Sequence, residues 1–423
     1  MTNGVKAERS IAIVSLSGEA RARGPRKGGF ETVTCLTLLG GHALDPVSAL
    51  SAAVDLARQA GAEWMIALAP GETLADDAFE LATPGLDLYD TIFGSAHVRG
   101  GDAVARLTRL AFDTADLLPH ALLNWWMPTG HLVRTETARK TLERITAKDT
   151  ANWWLDYLFD IWANARSQKS AQPLLELEFE PEPLGAAEKD EVVRRLAEKP
   201  VFLPIIHGDA VYYLPYTGRN AGIEREQTRG LFFEAMELEE LRKVVRPGAR
   251  IVDVGANTGN HTIFFAGPMK AASVTPLEPL PAAADALRAS VMRNGLKNVD
   301  LSHLGIGIAD KPGRARLVFS ARGGLGATSL EPDQAGEIGV ATLDSVLSGH
   351  VDFLKVDVEG MEMSVLAGSQ GLIAQSRPRI FIEIANRNTM AFCDWLNTAG
   401  YEVARIFTDK GHANYLIVPK GVS

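Results

Sequence analysis

Cysteine is nearly absent from this chain: Cys35 and Cys393 are the only two in 423 residues, and they lie in opposite halves. Such a pair excludes a disulfide-stapled scaffold and suits a reducing compartment. No apolar run approaches the roughly 20 residues that span a bilayer. The opening segment MTNGVKAERSIAIV runs from a polar tail straight into a short apolar strand. It lacks the charged-then-apolar pattern and cleavage site of a secretory signal. Together these absences predict a cytoplasmic protein. Basic excess is missing too: 43 Lys and Arg face 52 Asp and Glu, a net charge of −9. A nucleic-acid partner, which calls for a basic face, is therefore not expected. Internal repeats and low-complexity tracts are also lacking.

What is present is 46% hydrophobic residues in a chain too long for one ordinary core, which predicts two domains. The Pro- and Glu-rich stretch QPLLELEFEPEPLGAAEKDE after Ala171 reads as their connector. The expected division is a first α/β domain over 1–175, a connector over 176–200 and a second domain over 201–423. In the first, apolar runs at 11–14, 33–39 and 64–68 alternate with helical stretches such as 46–59. After the connector come a helix at 189–198, strand-like VFLPII and VYYLPY, and one helix over 227–245 stopped by Pro247-Gly248.

From Arg250 the alternation becomes regular. Strands are expected at 250–254, 272–277, 299–304, 351–356 and 379–384, with helical crossovers. One crossover is opened by Pro281 and closed by Gly295, the usual N-terminal proline and C-terminal glycine. Strands at 402–407 and 413–418, joined by TDKGH, form a terminal antiparallel hairpin. The pattern is that of an α/β, doubly wound sheet, in which ligands sit beyond the carboxyl ends of the strands.

The first of these strands ends in Val252-Asp253-Val254-Gly255-Ala256-Asn257-Thr258-Gly259-Asn260. Gly255 permits a sharp turn into the helix, and Gly259 permits close approach of a ligand. A dinucleotide loop would read G-x-G-x-x-G and cradle a pyrophosphate. Here an acid precedes the first glycine and the spacing differs, which favours a cationic ligand over a phosphate. S-adenosylmethionine, with its sulfonium and ammonium, fits. The second strand ends in Leu277-Glu278-Pro279, where an acid can accept both ribose hydroxyls.

The blocks VDVGANTGNHT, LEPLPAAADALRASVMRNGLKNVDL, FLKVDVEGMEMSVLAG and RPRIFIEI resemble, in order, those of the FkbM-type methyltransferases. The resemblance covers about a third of the chain, residues 232–383. It implies a class I methyltransferase fold, S-adenosylmethionine as cofactor, and O-methylation of sugar or polyketide hydroxyls. By position it assigns Asp253, Gly255, Ala256, Asn257 and Gly259 to the cofactor loop, Glu278 to the ribose, and Gly307 to a further cofactor contact. Asn260 stands where the family has an aromatic residue, and Gly307-Ile308-Ala309-Asp310 replaces an Ala-Leu-Gly-Asp-like element.

The fourth strand runs into Lys355-Val356-Asp357-Val358-Glu359-Gly360, and the fifth brings Glu383. Extended alternation would put Asp357 and Glu359 on one side. Neighbouring acids repel unless a cation lies among them: the cofactor, an Arg or Lys, or a metal. Asp357 and Glu359 are the candidates to orient or deprotonate a substrate hydroxyl. A helix-capping role is the other reading for Glu359. Magnesium held by Asp357, Glu359 and Glu383 is a variant that nothing in the sequence requires. Acceptor contacts are expected from Tyr216, Arg219, Ser329 and Glu383, through the Gly-rich segment 322–329 and the loop at 216–227. Tyr212 and Tyr213 can stack on a sugar or pack a strand face. His207, His261, His303 and His412 show no metal-ligand spacing and read as surface or helix-start residues.

The first half resembles a family 2 glycosyltransferase of the GT-A fold. The strand at 64–68 should then end in two metal-holding acids, but Ala69-Pro70-Gly71-Glu72 stands there. Asp76 and Asp77 read as helix-start charges. MPTGHLVRTETARK and NWWLDYLFDIWANARS resemble the acceptor-side blocks, with Asp156 near the usual base position. The resemblance implies a degenerate module that binds a glycan or nucleotide sugar, or a scaffold. The pairs Trp125-Trp126 and Trp153-Trp154 are either a stacking platform or packing. The expected partner is a saccharide or small-molecule hydroxyl acceptor, and a homo-oligomer is left open.

Overall fold

The structure is a computed structural model. It describes residues 9–16, 27–38, 45–93, 96–98, 131–146, 153–170, 173–177, 194, 196, 201–319, 325, 328–408 and 411–421. The chain forms two compact units, Met1–Ile206 with Glu224–Leu231, and His207–Ile223 with Phe232–Ser423. Most of the expected connector, the Gly-rich residues 322–324 and 326–327, and Trp125-Trp126 lie outside the described residues.

In the first unit β1 (Ser10–Ser15), β2 (Thr32–Thr37) and β3 (Trp64–Leu68) begin a six-stranded sheet. Helix α1 (Pro46–Gln59) joins β2 to β3. It starts where Asp45 accepts the Val47 and Ser48 amides and Pro46 presets the first turn. β1 lies parallel to both β2 and β3, in line with the apolar runs. After β3 come β4 (Glu72–Leu74), α2 (Ala78–Ala82), β5 (Thr91–Phe93), β6 (Ala96–Val98) and β7 (Leu132–Arg134). They are followed by α3 (Thr135–Thr146), α4 (Trp153–Asn164), β8 (Ser167–Lys169) and β9 (Leu175–Leu177). The large sheet runs β2-β1-β3-β7-β5-β8, while β4, β9 and β6 form a small one. Ile11, Trp64, Ile66, Phe79 and Leu132 close its core.

Glu72 does not stand in for a metal acid. It is buried, and its carboxylate accepts the Ala69 amide at 2.8 Å, tying off the turn after β3.

β10 (Val201–His207) and β11 (Ala210–Tyr216) carry the chain onward. The helix expected over 227–245 forms only as α6 (Ala235–Val244), and α5 (Ala221–Thr228) ends just inside its expected start. Left-handed backbone at Gly230 and Glu234 breaks the run, which apolar periodicity does not reveal.

The second unit is built on β12 (Arg250–Val254), α7 (Asn260–Ala266), β13 (Ser273–Leu277) and α8 (Pro281–Arg293). Next come β14 (Ile306–Ile308), β15 (Gly313–Phe319), β16 (Thr328–Pro332), β17 (Ile338–Ala341) and α9 (Leu343–Val346). The chain ends with β18 (Phe353–Val356), α10 (Glu362–Ala367), α11 (Gln370–Ser376), β19 (Arg379–Ala385), α12 (Thr389–Ala399), β20 (Tyr401–Thr408) and β21 (His412–Pro419). Strand order is β13-β12-β18-β19-β21-β20. The first four are parallel, and β21 is antiparallel to both neighbours. This is the expected doubly wound sheet with its terminal hairpin. The strand expected at 299–304 contracts to one bridge, Val274 to Val299. A separate sheet, β14-β17-β15-β16, holds the following segment. Val252, Leu354, Ile380 and Ile382 form the core beneath the strand tips.

Candidate active site

Strands β12 and β18 run side by side, and their register sets Asp253 opposite Lys355. Both side chains are buried, 0% and 2% exposed. Lys355 Nζ lies 3.3 Å from Asp253 Oδ1 and 3.3 Å from Asp357 Oδ2, and donates to the Gly255 carbonyl at 2.7 Å. Burial alone would lower the ammonium pKa; Asp357 and Asp253 hold it above the ordinary lysine value. The cation that must lie among the acids is thus a lysine of the chain. Thr262 on α7 donates to Asp253 Oδ2 at 2.6 Å. Asp253 therefore differs from its expected part: its charge is met inside the protein rather than offered to a ligand. The reason is register, which sequence spacing does not reveal.

Beyond Val254 the chain turns at Gly255, φ 74°, and Asn257, φ 50°. The Gly255 and Ala256 amides donate to the Leu277 carbonyl on β13, at 2.9 and 3.1 Å. The Asn257 amide donates to Glu278 Oε2, and the Leu280 amide to Oε1, both at 2.8 Å. Burial pushes the Glu278 carboxyl up to about 7, against these amides and Lys355. Asn257 Oδ1 in turn accepts from Thr258 N–H and Asn220 Nδ2. Gly259 follows at φ 98°, with room for a β-carbon only 3.1 Å from Leu287 Cγ. The residues expected in the cofactor loop thus come together around Glu278.

Asn260, the departure from the family's aromatic, has a distinct task. Its amide side chain accepts the Phe233 N–H and donates to the Phe233 carbonyl, both at 3.0 Å. This clamp fixes Glu234 in left-handed backbone, where it pairs with His261 Nε2 at 3.0 Å and accepts from Asn414 Nδ2 at 2.9 Å. His261 is buried at the start of α7, the helix-start rather than the surface position of the two expected. Burial raises the Glu234 carboxyl, but His261, Lys355 and Asn414 together hold it below its ordinary value. His207 and His412 also face acids, Glu239 at 2.7 Å and Glu383 at 3.4 Å.

The strand β18 ends at Val356, so extended alternation does not carry Asp357 and Glu359 to one side. Glu359 and Gly360 are both left-handed, φ 52° and 101°. The Gly360 amide donates to Glu362 Oε1 at 2.6 Å, so Glu362 tethers the start of α10 and Glu359 is spared that task. Burial, then the charges of Asp357 and Glu362, pushes the Glu359 carboxyl up to about 7. Glu383 rises to about 8, through burial and then Asp357 and Glu359. It sits opposite Asn414 on β21. Among the described residues no group of three or more His, Cys, Asp or Glu is arranged to hold a metal ion. The magnesium variant through Asp357, Glu359 and Glu383 accordingly has no support.

The expected acceptor residues are less concentrated. Tyr216 is fully buried at the end of β11. Tyr213 lies under the Arg293 guanidinium, 4.6 Å from its ring centre. Arg219 is exposed, and its carbonyl accepts the Leu325 amide at 2.9 Å. Ser329 pairs with Val318 inside the separate sheet. Gly307 pairs there with Val340, packed against Leu330, rather than in the turn around Glu278. Sequence reasoning missed Lys355, Glu234, His261 and Glu362. Only Lys355, inside the quoted block, carried a visible signal: a charge in an apolar strand.

Among the described residues no helix is long and apolar enough to cross a membrane. None of the curated proteins matches the chain significantly. Three solved structures show partial likeness. Methyltransferase FkbM from Methylobacillus flagellatus KT is 17% identical, with 54% of this chain and 59% of that one covered and a TM-score of 0.30. A SAM-dependent methyltransferase from Aquifex aeolicus is 14% identical, with 43% and 88% covered and a TM-score of 0.29. A ribosomal protein L11 methylase from Lactobacillus delbrueckii subsp. bulgaricus is 14% identical, with 44% and 78% covered and a TM-score of 0.28. The sequence model of the Methyltransferase FkbM domain matches residues 253–406, from the buried acid of β12 into β20. The second half of this chain carries a methyltransferase FkbM domain.

Proposed function

We propose that this chain is an S-adenosylmethionine-dependent O-methyltransferase acting on a hydroxyl of a saccharide or glycoconjugate. The observation that carries the reading is Glu278, a buried acid at the tip of β13 against the Asn257 amide. A carboxylate only accepts hydrogen bonds, and a ribose diol only needs acceptors here, so the residues fit the cofactor. Gly255, Ala256, Asn257 and Gly259 form the cradle beside it, and Asp253 supports that cradle through Lys355.

When bound, S-adenosylmethionine supplies an electrophilic methyl group. The chain's own part is to hold the acceptor hydroxyl in line with it, since positioning contributes most of the rate. Asp357, partly exposed at the tip of β18, orients the hydroxyl. Glu359, with its carboxyl at about 7, takes the hydroxyl proton, because a base poised near the working pH balances availability against basicity. Glu383 and the exposed Arg219 line the acceptor side. The first unit serves as a degenerate glycosyltransferase-like module that holds a glycan or positions the enzyme. Its lack of metal acids, with Glu72 turned into the fold, speaks against sugar transfer.

The test is radiolabelled methyl transfer from S-adenosylmethionine into a crude glycan and metabolite extract. A labelled saccharide ether is expected. A labelled non-sugar metabolite would move the acceptor to small-molecule secondary metabolism. Calorimetry that finds no association with S-adenosylmethionine or S-adenosylhomocysteine, yet finds NAD bound, would overturn the reading.

A further inference from the structure

We propose that Lys355 is a positioning residue that locks the donor loop to the acceptor-side acid through Gly255, Asp253 and Asp357. The inference rests on the methyltransferase reading above and deepens it. A buried ammonium on a central strand is costly, and an apolar side chain of similar volume would pack at least as well. Stability alone therefore gives no reason for a lysine at this position.

The geometry does. An ammonium has three protons, and three oxygens face it: the Gly255 carbonyl at 2.7 Å, Asp253 Oδ1 at 3.3 Å and Asp357 Oδ2 at 3.3 Å. The carbonyl accepts a hydrogen bond and the two carboxylates stand at ion-pair distance; with Lys355 only 2% exposed, its action passes through these neighbours. Gly255 is the turn from which the donor loop departs, and Asp357 begins the acceptor side. Backbone hydrogen bonding already brings Asp357 N–H to the Val254 carbonyl at 3.1 Å. Lys355 adds the side-chain tie, so that one nitrogen sets where the loop carbonyl and the Asp357 carboxylate stand relative to each other. Asp253, held by Thr262, anchors the lysine from below. Lys355 also opposes the rise of the Glu359 carboxyl.

The test uses the full chain and S-adenosylhomocysteine as calorimetric probe, with the pH profile of turnover alongside. Lys355→Met leaves Asp253 buried without its cation, so the double variant Asp253→Asn/Lys355→Met, which removes both charges and keeps both shapes, is made with it. The double variant should melt near the wild type, bind the probe at least roughly tenfold more weakly, and shift the acid limb of turnover to higher pH. Lys355→Arg keeps the charge but cannot place one nitrogen among three oxygens. It should retain the limb while losing affinity. Wild-type affinity and limb in the double variant, or wild-type affinity in Lys355→Arg, would reduce Lys355 to packing and overturn the proposal. Failure of the wild type itself to bind the probe would instead overturn the cofactor reading.

Discussion

Gly255 and Asp357 meet backbone to backbone: a β-carbon on Gly255 would overlap the Asp357 carbonyl oxygen. The contact arises because β12 and β18 are parallel neighbours in register, Val254 beside Val356, and both chains leave the sheet at the same level. Gly255 leaves at φ 74°, a conformation that costs L side chains about 1–2 kcal/mol. Two independent penalties fall on any larger residue.

Gly255→Ala is therefore expected to destabilise the second unit by more than about 2 kcal/mol and to abolish S-adenosylhomocysteine binding. Gly295→Ala is the control. Its φ is 63°, but nothing lies within 4 Å of the added carbon, so only the conformational cost applies. Thermal melts and calorimetry on both variants distinguish strain from contact; equal effects would contradict the close approach.

Turnover should depend on pH through Glu359. The base acts only when deprotonated, and its carboxyl stands at about 7, so rate should rise with pH through neutrality and fall off on the acid side. Glu359→Gln should remove that limb and lower turnover roughly 10²- to 10⁴-fold with little change in donor affinity. Asp357→Asn should also cut turnover far more than affinity. Wild-type turnover in Glu359→Gln eliminates the assignment.

Glu72 offers a test of the first unit. Its carboxylate closes the turn after β3 by accepting the Ala69 amide. Glu72→Ala should cost about 1–3 kcal/mol, the penalty for leaving a partly buried amide unpaired. Titration of the full chain with UDP- and GDP-sugars, with and without manganese, should show no metal-dependent binding that Glu72 supports. Metal-dependent binding lost in Glu72→Ala would restore sugar transfer as an activity.

The regular alternation after Arg250, the loop Gly255–Gly259 and the acid Glu278 were all legible in the sequence, because each depends on local geometry. Strand period, a proline-opened helix and glycine at a turn are written within a few residues. The α5/α6 break was not, since left-handed Glu234 is held by Asn260, Asn414 and His261 from distant segments. The strand at 299–304 failed for a related reason: apolar residues alone do not specify how many ladder pairs form.

By itself, then, the sequence determined a doubly wound sheet, the glycines of its first strand-to-helix turn and the acids at its strand tips. Only the tertiary structure decided what those acids face. Asp253 looks inward because parallel register brings Lys355 opposite it, and Glu359 is freed because Glu362 takes the helix start. Charge on a side chain is local, but the partner that meets it is chosen by strand order and register, which no short window of sequence contains.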